Sequence, residues 1–171
     1  EIHFKQTRTN RAFLTEEELG ILLKKEFTIP RLQTVRDIFV FCALTGLAFT
    51  DVQHLRYEHI IKDVNGEYWI RKAREKTDNM CDIPLLDIPR MILEKYKGHP
   101  ECMKKGVLLP VPSNQRMNSY LKEIADTCGI TKPLSTHVAR HTFATVALAN
   151  RVSMESVAKM LGHTDIRTTR I

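Results

Sequence analysis

The dipeptide Asn65-Gly66 constrains the fold most. Asn-Gly between apolar runs is the chemistry of a tight two-residue hairpin, because it supplies residues that tolerate positive φ. Strand signals cluster around it. Ile60-Ile61 leads in, Tyr68-Trp69-Ile70 returns and continues to about Lys76, and Met80-Cys81-Asp82-Ile83-Pro84 reads as a third, shorter strand. On either side the apolar period is helical. Thr15 and Glu18 form a capping box that starts a helix running to about Phe27, and Pro30 opens a second to about Thr45. A short helix follows through 51–55. Further helices are expected near 87–97, 114–128, 136–150 and 154–161, with a final turn near 165–170. Pro110 and Pro112 break the chain, and Gly162 is placed as a C-cap. The expected fold class is α+β, mainly helical, with one small three-stranded antiparallel sheet.

Composition adds a partner to this outline. Hydrophobic residues make up 43% and charged residues 27%, enough for a real core. No run is long and apolar enough to span a bilayer, and no signal-peptide pattern opens the sequence. Residues 1–102 hold 16 Lys/Arg against 16 Asp/Glu, whereas 103–171 hold 10 against 4, so the whole net charge of +6 sits in the later part. Such a basic stretch points to an anionic partner, nucleic acid first, with a merely solvated basic surface as the alternative. Cys42, Cys81, Cys102 and Cys128 form no CxxC pair. They read as reduced thiols of a cytoplasmic protein.

The chemistry concentrates in Ser135-Thr136-His137-Val138-Ala139-Arg140-His141. His137 and Arg140 are three apart on a helix and share a face. Leu161-Gly162-His163 follows at a helix end, and Arg74-Glu75-Lys76-Thr77 closes the returning hairpin strand. Histidines, arginines and a lysine without a carboxylate cluster suit a phosphate, since a guanidinium offers a planar fork to phosphoryl oxygens. His137 and His141 at i, i+4 also resemble half of a zinc site, but position 138 is Val where a zinc protease has Glu. No metal and no other cofactor is expected. His141 reads as a structural neighbour, Asp51 as a carboxylate that holds an arginine or caps a helix, and Lys104-Lys105 as loop charge.

In their order and spacing these landmarks resemble the catalytic domain of the tyrosine recombinases, the phage integrase family. Those that match are Thr45-Gly46-Leu47, Lys76-Thr77, His137-x-x-Arg140-His141, and Leu161-Gly162-His163-Thr164-Asp165 followed by Thr168-Thr169. The resemblance covers about 13–171 and leaves 1–12 as a linker from a missing N-terminal DNA-binding domain. It implies a site-specific recombinase of a bacterial mobile element that cuts and rejoins double-stranded DNA through a 3′-phosphotyrosyl link. The enzyme would work as a homotetramer on DNA, and this fragment alone as a monomer. By resemblance, Arg140 holds the non-bridging oxygens, His137 takes the tyrosine's proton, Lys76 protonates the leaving oxygen, and His163 donates to the phosphate.

Two positions depart from the pattern. Ala48 stands where the family's first arginine follows Thr-Gly-Leu. Alternation along a strand puts Lys72, Arg74 and Lys76 on one face, which makes Arg74 the candidate substitute. A flanking-phosphate contact is its other reading. Lys72, Thr77 and Arg116 are the candidate DNA-backbone contacts. The nucleophile falls nine residues after His163, one past Ile171, and Tyr57, Tyr68, Tyr96 and Tyr120 are all misplaced for it. The fragment is therefore expected not to cleave DNA by itself. The competing readings are a non-catalytic DNA-binding relative, which Ala48 favours, and a metal nuclease, which lacks the carboxylates to hold Mg²⁺.

Overall fold

A computed structural model describes residues 12–163 and Thr169. The linker expected at 1–12 lies outside the described residues except for Ala12, and the final turn near 165–170 does so except for Thr169. Thr15 caps α1 (Glu16–Lys24) as a full capping box: its Oγ1 accepts from Glu18 N, and the Glu18 carboxylate accepts from Thr15 N. The helix stops three residues short of Phe27. Arg36 explains this, because its Nη1 donates to the carbonyls of Leu22 and Lys25 that another turn would have used.

Helix α2 (Pro30–Thr45) is the spine. It is buried nearly all round from Asp37 to Thr45, as expected of a helix whose apolar residues do not keep to one stripe. Gly46 ends it at φ +77°, where a Cβ would stand 2.5 Å from Phe143 Cδ1. The position therefore needs glycine both for its backbone and for its neighbour. Helix α3 (Phe49–Gln53) and a 3₁₀ turn (Tyr57–His59) lead into the sheet.

Strands β1 (Ile60–Lys62), β2 (Tyr68–Ala73) and β3 (Met80–Pro84) pair antiparallel in the order β1-β2-β3, with Ile60 opposite Ile70 and Lys72 opposite Cys81. Asn65-Gly66 does turn the chain, but in a three-residue loop rather than a two-residue one. The Asp63 carboxylate accepts from the amides of Asn65 and Glu67, Gly66 N donates to Asp63 O, and only Gly66 takes positive φ. Strand β2 also stops at Ala73, not near Lys76. Arg74–Asn79 form a turn in which Arg74 N donates to Asn79 O, Asp78 N donates to Arg74 O, and Asp78 sits at φ +59°.

After the sheet come α4 (Asp87–Lys95), α5 (Pro100–Lys105), α6 (Asn114–Cys128), α7 (Thr136–Ala149) and α8 (Met154–Leu161). Helix α5 was not expected from sequence. His99 Nδ1 caps it by accepting from Glu101 N, so Lys104 and Lys105 lie in the last turn of a helix and not in a loop. Ser113, Ser135 and Ser153 cap α6, α7 and α8 through their hydroxyls. Helices α4, α6 and α7 pack on α2. The α2–α4 contact includes a buried polar knot in which Tyr96 Oη and Lys95 Nζ donate to Asp37 Oδ2. A second, smaller apolar cluster of Ala144, Val157 and Leu161 fixes α8 against α7. Among the described residues no helix is long and apolar enough to cross a membrane.

Candidate active site

Three chain ends converge: the C-cap of α2 at Gly46, the C-cap of α8 at Gly162, and the Arg74–Asn79 turn. Arg140, one turn into α7, joins the first two. Its Nη1 donates to Gly46 O at 2.5 Å and its Nη2 to Leu161 O at 2.8 Å. Both acceptors are carbonyls at helix C-termini, where unpaired oxygens favour a cation. Two N–H donors hold the side chain in place, and the guanidinium has five. Burial, followed by the charge of Arg74, pushes the Arg140 pKa down to about 10. A guanidinium at that value is still protonated at neutral pH, but it is short of negative charge.

Arg74 reaches the same place from the sheet. Its stem lies across the end of α8, where a Cβ on Gly162 would stand 2.9 Å from Arg74 Cδ and 3.0 Å from Cys81 Sγ. Gly162 is thus the gap through which the arginine passes. Arg74 Nε is buried without a hydrogen bond, 3.6 Å from Asp51 Oδ2. Ala48, where the pattern has an arginine, is the N-cap of α3 and presents only a methyl group.

His163 sits just past Gly162. Its Nε2 is 3.4 Å from Arg140 Nη2, and its Nδ1 is 2.8 Å from Thr169 Oγ1. A guanidinium has no lone pair, so Nε2 faces it as acceptor, and Nδ1 is left to donate to Thr169. His137 is exposed in the first turn of α7, and Arg140 follows one turn later. Cys81 and Cys42 lie behind the arginines; burial raises their thiols to about 11 and about 12, so both are neutral packing groups.

The hairpin lysines separate. Lys76 is exposed in the turn and makes no hydrogen bond or ion pair among the described residues. Lys72, expected to meet DNA, does not reach the surface. Its side chain is 3% exposed, and Nζ is 3.0 Å from Glu75 Oε1, 3.0 Å from Ala73 O and 3.8 Å from Asp51 Oδ1. Alternation along β2 turns it, like Ile70, toward the protein, and the strand ends before that alternation reaches Lys76. Lys72 and Arg74 do share a face, the one toward Asp51. Asp51 is 1% exposed and also accepts from Glu75 N at 2.8 Å. Of the two roles read for Asp51 from sequence, holding an arginine or capping a helix, it takes the first, facing Arg74, while Ala48 is the N-cap of α3. Thr77 is exposed on the turn, and Arg116 is exposed in the first turn of α6. Between the turn and α8 a cleft of about 400 Å³ is lined by Asn79, Met80, Lys159, Gly162 and His163. Among the described residues no group of three His, Cys, Asp or Glu side chains converges as a metal site.

Residues 12–171 match the Phage integrase family. Relatives include the tyrosine recombinase XerD of Listeria monocytogenes, 51% identical over 138 residues, which cover 74% of this chain and 45% of that protein. The integrase of Escherichia phage P2 is 25% identical over 168 residues, covering 98% of this chain and 44% of that protein. The chain thus spans less than half the length of these relatives. Among solved structures, the fold is shared with the XerH site-specific recombinase bound to palindromic difH substrate in a post-cleavage complex. The TM-score is 0.75 at 19% identity, over 94% of this chain and 48% of that one. It is also shared with a lambda integrase dimer bound to a COC′ core site, at TM-score 0.67 and 18% identity over 96% and 59%.

Proposed function

Because this chain belongs to the phage integrase family, we propose that it is the catalytic part of a site-specific DNA recombinase that cuts and rejoins strands through a 3′-phosphotyrosyl link. The observation that carries the reading is the meeting of Arg74 and Arg140, from separate elements, at the end of α8 beside His163. Burial and the charge of Arg74 hold the Arg140 guanidinium below its ordinary value, and an anion between the two side chains is stabilised by both. A pentacoordinate phosphate bears its greatest charge in the transition state, when the pair is worth most.

In this reading a tyrosine oxygen attacks phosphorus and the bond to O5′ breaks. The tyrosine belongs nine residues after His163, one past Ile171. His137 takes its proton, and Lys76 gives one to the departing O5′. Arg140 and Arg74 hold the non-bridging oxygens, with Arg74 in place of the arginine that Ala48 lacks. His163 donates from Nε2 once phosphate displaces Arg140 as that nitrogen's neighbour and the ring proton moves from Nδ1 to Nε2, which leaves Nδ1 to accept from the Thr169 hydroxyl. Thr77 and Arg116 meet flanking phosphates of double-stranded DNA. The parent protein assembles as a homotetramer on DNA in the bacterial cytoplasm, after a linker at 1–12 from an N-terminal DNA-binding domain.

The test is incubation of the full-length protein with a nicked target strand in EDTA. A covalent protein–DNA adduct is expected, and metal-dependent cleavage without an adduct would overturn the reading. Ala48 favours a second reading, a DNA-binding relative that has lost chemistry. Steeply salt-dependent binding with no adduct would select it.

A further inference from the structure

Lys72 has no part in the chemistry proposed above, yet its burial is costly. A lysine ammonium 3% exposed gives up hydration and has to recover it from fixed partners. Its partners share one location. Nζ binds the carbonyl of Ala73, where β2 ends, and the carboxylate of Glu75, while the Asp51 carboxylate beside it accepts from Glu75 N. Glu75 is therefore held twice, by its backbone to α3 and by its side chain to the floor of β2. Lys76 is the next residue and has no bond of its own among the described residues. A long, free lysine chain delivers its ammonium reproducibly only if its Cα is fixed, and a misplacement of about 1 Å at a reacting group can cost ~10²-fold.

We propose that Lys72 is a positioning residue for proton delivery: from beneath the turn it fixes Glu75, and so sets where the neighbouring Lys76 ammonium meets the leaving oxygen. This rests on the reading of Lys76 as the proton donor. Strand cleavage breaks the P–O5′ bond, and the electron pair left on O5′ takes a proton from Lys76. If a sulfur replaces that bridging oxygen, the P–S5′ bond breaks to give a thiolate, which is stable at neutral pH without that proton. A defect in proton delivery is therefore repaired by the sulfur substrate, and a defect in phosphate binding or in folding is not.

The experiment uses the full-length protein, with cleavage rates measured on matched 5′-oxygen and 5′-bridging-sulfur strands. Lys76→Ala should lose ~10²–10⁴-fold on oxygen and recover on sulfur. Lys72→Met keeps the buried stem and removes the charge. It should lose ~10–10²-fold on oxygen and recover on sulfur to within about threefold of the unsubstituted protein, with unchanged DNA affinity. Glu75→Gln is a surface change that leaves Lys72 in place and guards against a Lys72 variant that fails to fold. It should show a smaller loss with the same recovery. If Lys76→Ala recovers on sulfur while Glu75→Gln, with folded Lys72→Met, is equally impaired on both substrates or unimpaired on both, the inference about Lys72 fails alone. If Lys76→Ala itself does not recover, the assignment of Lys76 fails and takes this inference with it.

Discussion

The α7–α8 corner and the Arg74–Asn79 turn both hold cations toward one point, but with opposite chemistry. At the corner, Arg140 is fixed by neutral carbonyls, Gly46 O and Leu161 O, at the ends of two helices. At the turn, Lys72 and Arg74 face carboxylates, Asp51 and Glu75. Carbonyls orient a guanidinium without cancelling its charge, so Arg140 keeps most of its pull on an anion. Carboxylates neutralise what they hold, which suits a group meant to brace a loop. Within the turn, Lys76 alone among the three cations has no carboxylate partner among the described residues. In the proposed reading the difference separates Arg140 and Lys76, which meet phosphate, from Lys72, which places the turn. Arg74 stands between them, its Nε facing Asp51 without a hydrogen bond while its stem crosses the end of α8.

Replacing Arg140 tests the corner most severely. Arg140→Lys cannot span both carbonyls and offer a planar fork as well. Strand cleavage in the full-length protein should fall ~10³-fold or more, since one lost donor in a preorganised anion site costs ~10²–10³. Arg74→Ala comes next. If Arg74 supplies the donor that Ala48 lacks, the rate should fall ~10²-fold on the oxygen substrate with no recovery on sulfur. Unchanged cleavage in a folded Arg74→Ala protein would return Arg74 to the bracing class.

The corner was more legible in sequence than the turn, for a physical reason. Helix ends announce themselves locally: Thr15 with Glu18, Ser135, Gly46 and Gly162 each satisfy a backbone need that can be read from one residue and its neighbours. The spacing of His137 and Arg140 follows from helix geometry alone. The turn depends on side chains reaching across the fold. Nothing local says that Asp51 would capture Glu75 N and end β2 early, or that the Asp63 carboxylate would widen the Asn65-Gly66 turn. Strand alternation correctly grouped Lys72 with Arg74, but alternation tells which residues share a face and not whether that face is wet. The passage of Arg74 over Gly162 brings together residues 88 apart, and no spacing rule encodes it. Helix α5 escaped because six residues between His99 and Gly106 give too short a window for periodicity.

Gly162→Ala probes the contact that joins the two regions. An alanine at φ +71° is strained, and its Cβ meets Arg74 Cδ at 2.9 Å, so the arginine has to shift. The left-handed backbone should cost about 1–2 kcal/mol of stability in thermal or urea unfolding. Cleavage should fall further than that loss explains, because the shifted side chain is Arg74. A variant that loses stability but keeps its full rate would separate Arg74 from the chemistry.

The smallest effect is expected from acid, and it distinguishes carbonyl from carboxylate directly. The hydrogen bond from Lys72, reinforced by that ammonium's charge, holds Glu75 below the ordinary carboxylate value of 4.5. A carboxylate with a depressed folded pKa contributes to stability above its unfolded value, and the contribution is lost as pH falls through the folded value. Near pH 7 the Lys72–Glu75 link is therefore complete, and below 4.5 it fades. Amide exchange at Glu75 and Asp78 reads the turn, and exchange at Gly46 and Gly162 reads the corner. At pH 7, Glu75→Gln should quicken exchange in the turn about threefold, a small effect typical of one exposed ion pair, and leave the corner unchanged. As pH falls below 4.5, the unsubstituted protein should converge on the variant at the turn, while the carbonyl-held corner shows no difference between them. Convergence at both places would mean that the carboxylates brace the corner as well, and the division between the two regions would fail.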